Sequence, residues 1–313
     1  MNRLVVAPLV YFHVDVRENQ FPALIPLDGG YEIKPLDTAL LDPVFNFHNS
    51  AFSEDEKALL RRCTHAIYYE FDAEDNNLPE NIVQDIYRIT QTMRLIIRTR
   101  TVPAILMLRQ NPSGTFADVD GMSYQGIRGI EISYIGTDTR MEHFNAGDIP
   151  ELQRYWTIVK ALWEAHGGQY HRVLNALIFY ELGHQTRMYK PRLVNLVTAL
   201  ESLFNTGSEQ ITYAIKQRCS YFLEMNPTRR IPLANNIKEI YKLRSLFVHG
   251  QATPGRILRN DNTQKQLLMD TEDIVRNCIR KIFDNNLIAL FGNETDLNQE
   301  FTNLELGAPS QLT

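Results

Sequence analysis

No apolar run in this chain approaches the roughly 20 residues that a helix needs to span a bilayer, so nothing among its 313 residues reads as a membrane segment. Cysteine is scarce. Cys63, Cys219 and Cys278 are odd in number and far apart, which excludes a disulfide framework and suits reduced thiols in the cytosol. The opening stretch carries one charge and a short apolar run broken by Pro8, without a cleavage region for a signal peptide, and a cytoplasmic location is expected. Neither a P-loop nor a dinucleotide-binding glycine pattern is present, and no repeat period or low-complexity block appears. Metal ligands are wanting too. His166 and His171 straddle two glycines at a poor spacing. Asp118-Val-Asp120-Gly121 starts like a calcium loop but lacks the distal Glu, and reads as a turn. Glu70, Asp72, Glu74 and Asp75 could hold a magnesium ion, but such a run is ordinarily a solvated loop. The expectation is no metal and no cofactor.

What is there suits an ordinary globular protein of two domains: 44% hydrophobic and 22% charged residues, over a length beyond a single core. The net charge of -5 conceals a division. Residues 1–150 carry 13 Lys plus Arg against 21 Asp plus Glu, residues 151–290 carry 19 against 12, and the stretch from 291 has four acids and no bases. A basic half beside an acidic one suggests a polyanion partner, or helix faces that simply favour Lys and Arg.

Residues 1–150 read as an α+β domain. A strand is expected from Leu4 to Val16 with an interruption at Pro8. The capping box Ser53-Glu-Asp-Glu56 opens a helix to about Arg62, a strand follows over Ala66 to Phe71, and Pro79 sits in the first turn of a second helix. That helix carries the stripe Ile82, Ile86, Ile89, Met93 and Ile96. Strands at Val102 to Leu108 and Gly129 to Ile135 are joined by a loop with turns at Asn111-Pro-Ser-Gly and Asp120-Gly. Residues 151–290 read as an all-α bundle. Its first helix carries Leu152, Trp156, Val159 and Trp163, and others run from Gln169, from Pro191 and after Ser208. A fifth runs from Asn235 to His249, with Gly250 at the position that ends it, and a sixth from Gln264 to Phe283. The polar stretch 291–313 is expected to be disordered.

The motif that carries a chemistry is Arg244-Ser-Leu-Phe-Val-His249-Gly250 at the end of the fifth helix. Upstream stand Arg192-Leu-Val-Asn-Leu-Val-Thr-Ala-Leu-Glu201-Ser-Leu-Phe204, a helix with Arg218, and Ile237-Lys-Glu-Ile-Tyr-Lys-Leu-Arg244. In order and spacing these segments, over about residues 170–285, resemble the HEPN superfamily and most closely its ApeA-like branch. That resemblance implies a HEPN helical bundle, a homodimer whose interface is the active site, and metal-independent RNA cleavage. It also implies a toxin or anti-phage defence setting.

Five residues at about 100° each put Arg244 and His249 about 140° apart on one helix. One copy cannot bring them together, whereas two copies about a twofold axis can. His249 would move a proton between the RNA 2′-hydroxyl and the leaving 5′-oxygen. Arg244 would clamp the scissile phosphate, giving a 2′,3′-cyclic phosphate and sparing DNA. Ser245 occupies the polar place after the Arg. Glu201 needs a partner, and Arg218 is the natural one, either orienting the catalytic helix or stapling two helices. Asn195 could support the same helix. Arg229, Arg230, Arg256 and Arg259 could track an RNA backbone. The N-terminal domain would sense a trigger or hold a regulator. Two other readings stay open: a non-catalytic HEPN module binding RNA or protein, and a helical dimerisation scaffold. On the blander view Arg244 is a helix-face ion pair with Glu239 and His249 a surface histidine capping a carbonyl.

Overall fold

The computed structural model describes residues 2–15, 21–47, 52–72, 78–99, 101–110, 116–123, 142–165, 168, 170–186, 188–207, 211–251 and 261–312, with 116–123 and 261 described by backbone alone. The chain divides into two compact units, residues 1–161 and 162–313.

In the first unit one antiparallel sheet is built from β1 (Asn2–Val10), β2 (Ile25–Pro26), β3 (Glu32–Pro35), β4 (His65–Asp72), β5 (Val102–Pro103), β6 (Ile105–Gln110) and β7 (Phe116–Ser123). Its order is β2-β3-β4-β1-β6-β7, and β5 also pairs β1. Strand β1 lies between β4 and β6, with Val5 opposite both Tyr69 and Met107. Burial of both its faces accounts for the unbroken apolar run from Leu4 to Val10. The expected interruption at Pro8 does not occur. Pro8 is the last β1 residue paired with β4, where one missing donor is tolerated, and its carbonyl still accepts from Ala104 N at 3.1 Å. The strand turns away at Tyr11, whose φ of 59° is left-handed.

Helices cover both faces of the sheet. Leu4, Val6, Tyr68, Leu106 and Leu108 form one core with Leu41, Val44 and Phe45 of α1 (Leu41–Phe47) and Leu60 of α2 (Glu54–Arg61). On the opposite face Tyr31 stacks on Tyr69 at 4.4 Å and donates to Asp85 of α3 (Glu80–Ile96) at 3.1 Å. Trp156 of α4 (Ile149–Glu164) meets the Tyr31 ring edge-on and donates to the Asp28 carbonyl at 2.8 Å. The boundary expected at residue 150 therefore falls too early. Most of α4 completes the sheet unit, which the Leu152, Trp156 and Val159 stripe did not disclose.

The Ser53–Glu56 capping box forms in full, and Pro79 is the N-cap of α3. Asp120-Gly121, expected in a turn, lies within β7, where Gly121 pairs with Met107 of β6 and Asp120 falls at a register shift. The turn at Asn111, the strand at 129–135, the N-cap Ser208 and His166 lie outside the described residues.

The second unit contains α5 (His171–Gln185), α6 (Tyr189–Phe204), α7 (Ile211–Leu223), α8 (Pro227–Val248), α9 (Asp261–Asp284), α10 (Ile288–Gly292) and α11 (Glu294–Leu306). The chain is thus α+β first and helical after. Helix α6 touches α5, α7, α8 and α9, and its Leu193, Leu196, Val197, Ala199, Leu200 and Leu203 are buried. Gly183 lets α5 and α6 approach, since a Cβ there would stand 2.8 Å from Leu196 Cδ2. Cys219 and Cys278 are buried free thiols with sulfurs 3.7 Å apart, and Cys63 is half-buried.

Residues 294–306 of the stretch from 291 are helical, against expectation. Asn293 caps α11 by accepting from Thr295 N and Asp296 N. Leu297, Phe301 and Leu304 recur at spacings of four and three and are buried. Phe301 and Phe291 join Phe204 and Phe222 in a cluster of edge-to-face and tilted rings. Polar composition hid a stripe of only three apolar residues.

Candidate functional site

Helix α8 is longer than its pattern suggested. Asn226 caps it by accepting from Thr228 N, Pro227 opens it, and Pro232 lies within its early turns. Ile237, Ile240, Tyr241 and Leu243 bury one side against the bundle. Arg244 falls in the middle of that side by helical phase, so it enters the packed face with 22% of its side chain exposed. Its Nη2 donates to Glu201 Oε2 at 2.9 Å. The other Glu201 oxygen accepts from the Tyr241 hydroxyl at 2.9 Å. Among the described residues no hydrogen bond occupies Arg244 Nη1, and its Nε is buried without one.

The helix ends at His249, whose backbone N–H bonds back to Ser245 O, and Gly250 follows at φ 65°. His249 is exposed. Its ring makes no capping bond to a carbonyl among the described residues. Ser245, half-buried, shares the His249 side of the helix rather than the Arg244 side.

The expected Glu201–Arg218 pair is not formed. Glu201 sits one turn before the end of α6, facing α8, and takes Arg244 instead. Arg218 turns to the C-terminal helix. It donates to Phe204 O at 3.0 Å and to Thr206 Oγ1, lies over the Phe301 ring at 4.8 Å, and places Nε 3.6 Å from Glu305. Burial and the neighbouring Arg172 pull the Arg218 pKa down, and Glu305 opposes them. Arg172 binds the carbonyls of Ser202 and Asn205 and the Glu294 carboxylate. Two arginines thereby cap the last carbonyls of α6 and receive both ends of α11.

Asn195 supports a different element: its Nδ2 donates to Thr186 Oγ1 at 3.1 Å, at the end of α5. Arg229 pairs with Glu224 at 3.2 Å, while Arg230 lies 3.7 Å over the Tyr221 ring and donates to Met225 O. Both arginines tie the α7–α8 connection, which weakens their expected part as a phosphate track. Arg256 and Arg259 lie outside the described residues. The ion pair of Arg244 with Glu239 is replaced by the one with Glu201.

Two polar groups escaped sequence reasoning. Tyr241 is one turn before Arg244, a spacing that could have flagged a shared partner. Burial and the Glu201 carboxylate push its hydroxyl up to about 12. The second is Glu272 of α9, which joins Arg192 at 3.1 Å and His184 at 3.6 Å. It links three helices, with the Tyr180 ring edge-on to the imidazole. Among the described residues no three His, Cys, Asp or Glu side chains gather as metal ligands would, and no helix is long and apolar enough to cross a membrane.

Comparison of the chain with family models, with curated proteins and with solved structures gave no match.

Proposed function

We propose that the second unit is a HEPN-type bundle and that the protein is a metal-independent endoribonuclease acting as a homodimer. The observation that carries this reading is the division of labour on α8. Arg244 is anchored inward by Glu201 with no hydrogen bond at Nη1 among the described residues, while His249 stands exposed at the helix end on the other side. A clamp for the phosphate needs to be held still, which the Glu201–Tyr241 support provides. A proton carrier needs access to solvent and substrate, which the helix end provides. Since the two side chains diverge on one helix, the cleft draws them from two copies. In that cleft the 2′-hydroxyl attacks the adjacent phosphorus as His249 takes its proton, the P–O5′ bond breaks, and a protonated histidine returns a proton to the 5′-oxygen. The products are a 2′,3′-cyclic phosphate and a 5′-hydroxyl.

The first unit would sense a trigger or bind a regulator, in keeping with a toxin or defence role. A second reading has its own support. Arg244 held at 2.9 Å by a carboxylate is also what a mere staple looks like, and on that reading the bundle is an RNA- or protein-binding module or a dimerisation scaffold.

The test uses the full chain with single-stranded RNA in EDTA. His249→Ala is expected to lose cleavage by about 10² to 10⁴ and keep its melting temperature, because an exposed side chain with no hydrogen bond among the described residues contributes little to folding. Wild-type cleavage of RNA but not of the matching DNA, ending in cyclic phosphate, supports the enzyme. A His249→Ala protein that cuts like wild type, or a wild type that cuts only with added magnesium, overturns the metal-independent Arg244 and His249 site, and a wild type that leaves RNA uncut favours the module or scaffold.

A further inference from the structure

One face of α8 is left outside the bundle. Ile231, Asn235, Lys238, Lys242, Ser245 and His249 follow one another at spacings of four, three, four, three and four, so all fall within about 40° of a single line along the helix. All are exposed apart from half-buried Ser245, and Ile231 reaches 62%. The line ends at the histidine assigned to proton transfer. Lys238 and Lys242 stand on it one turn apart, a rise of about 6 Å, and Lys242 lies two turns, about 10 Å, before His249.

The arginines nearby have other duties, with Arg229 on Glu224, Arg230 on Tyr221 and Arg244 on Glu201. Lys238 and Lys242 have neither an ion pair nor a hydrogen bond among the described residues. Glu239 lies about 80° round the helix from the line and bounds it on one side. Free ammonium groups on long flexible stems bind phosphates as point charges, without reading bases.

We infer that this face is the track for a single-stranded RNA backbone, with Lys238 and Lys242 holding neighbouring phosphates and Ser245 meeting the chain as it arrives at His249. The inference rests on the ribonuclease reading and deepens it. The phosphate contacts move from Arg229 and Arg230 to two lysines, and substrate choice at this face depends on an unpaired, flexible backbone rather than on sequence. Residues 151–290 carry 19 bases against 12 acids, a balance that complements a polyanion.

The experiment titrates the full chain with a short fluorescent 2′-O-methyl RNA, which lacks the attacking hydroxyl and stays intact, over a range of salt. The wild type is expected to bind with salt-dependent affinity. K238A/K242A is expected to bind about tenfold more weakly, with a log K against log salt slope shallower by about 1.4, at about 0.7 per lost single-strand contact. Its melting temperature stays put, and K238R/K242R recovers the slope. Equal affinity and slope in wild type and K238A/K242A overturn the track and leave the Arg244 and His249 assignment standing. A wild type that ignores this RNA, whether or not it binds phosphatidylserine vesicles or a polyglutamate peptide, overturns the track. If it also leaves unmodified RNA uncut, the ribonuclease reading falls with it.

Discussion

Glu201 holds two neighbours at once, and removing it exposes what each contributes. Glu201→Ala strands the Arg244 guanidinium at a half-buried position and is expected to cost about 1–3 kcal/mol, read as a lower urea midpoint. Cleavage should fall in the same variant, because the freed guanidinium loses its fixed geometry. A variant of normal stability and activity would show that the 2.9 Å pair does neither job. Tyr241 makes a separate prediction in alkali. Its hydroxyl is pushed up to about 12 in the folded protein by burial and Glu201, against about 10 for an ordinary tyrosine. The folded state thus holds that proton more tightly, and the stability it confers is complete below about pH 10 and lost as pH rises through about 12. Tyr241→Phe should therefore show a shallower stability loss over that window in denaturant melts, and an unchanged slope would remove Tyr241 from the network. Sequence placed Glu201 correctly as an acid in need of a cation and chose the wrong one. Arg218 and Arg244 are equivalent as types, and only the packing of α6 against α8 decides between them.

Helix α11 is the element on which the second unit closes. Phe301 packs against Phe204 and Phe291 and under the Arg218 guanidinium, so Phe301→Ala is expected to destabilise by about 3–5 kcal/mol, read by thermal or urea unfolding. A loss below about 1 kcal/mol would mean that the helix rests on the bundle without supporting it. Elements whose signal is local were legible beforehand. The Ser53–Glu56 box closes as two reciprocal bonds, the Ile82 to Met93 stripe is buried, and Gly250 ends α8 with a positive φ. Elements whose reason is distant were not. Helix α11 docks through Phe301 on Phe204 and Phe291, with Arg172 and Arg218 receiving its glutamates, β1 runs through Pro8 because neighbours on both sides hold it, and α4 joins the sheet unit through Trp156 and Tyr31.

For the whole molecule, the proposed composite cleft predicts complementation. Arg244→Ala and His249→Ala chains, each inactive alone, should recover a measurable part of RNA cleavage when unfolded together and refolded, since a mixed pair supplies one intact Arg and one intact His. Activity that stays absent while light scattering reports pairs would place both residues of each site on one copy. The position of α11 also gives the molecule a history. Phe301 follows Arg218 by 83 residues, so at about 5–20 residues per second the ribosome delivers it some 4–17 s later. Throughout that interval Phe204 and Phe222 lack the rings that cover them, and Arg218 waits for Glu305. The helical unit therefore stays open until α11 has been made, well after α8, and a nascent chain stalled before residue 301 carries a sticky, unclosed bundle for chaperones to shield.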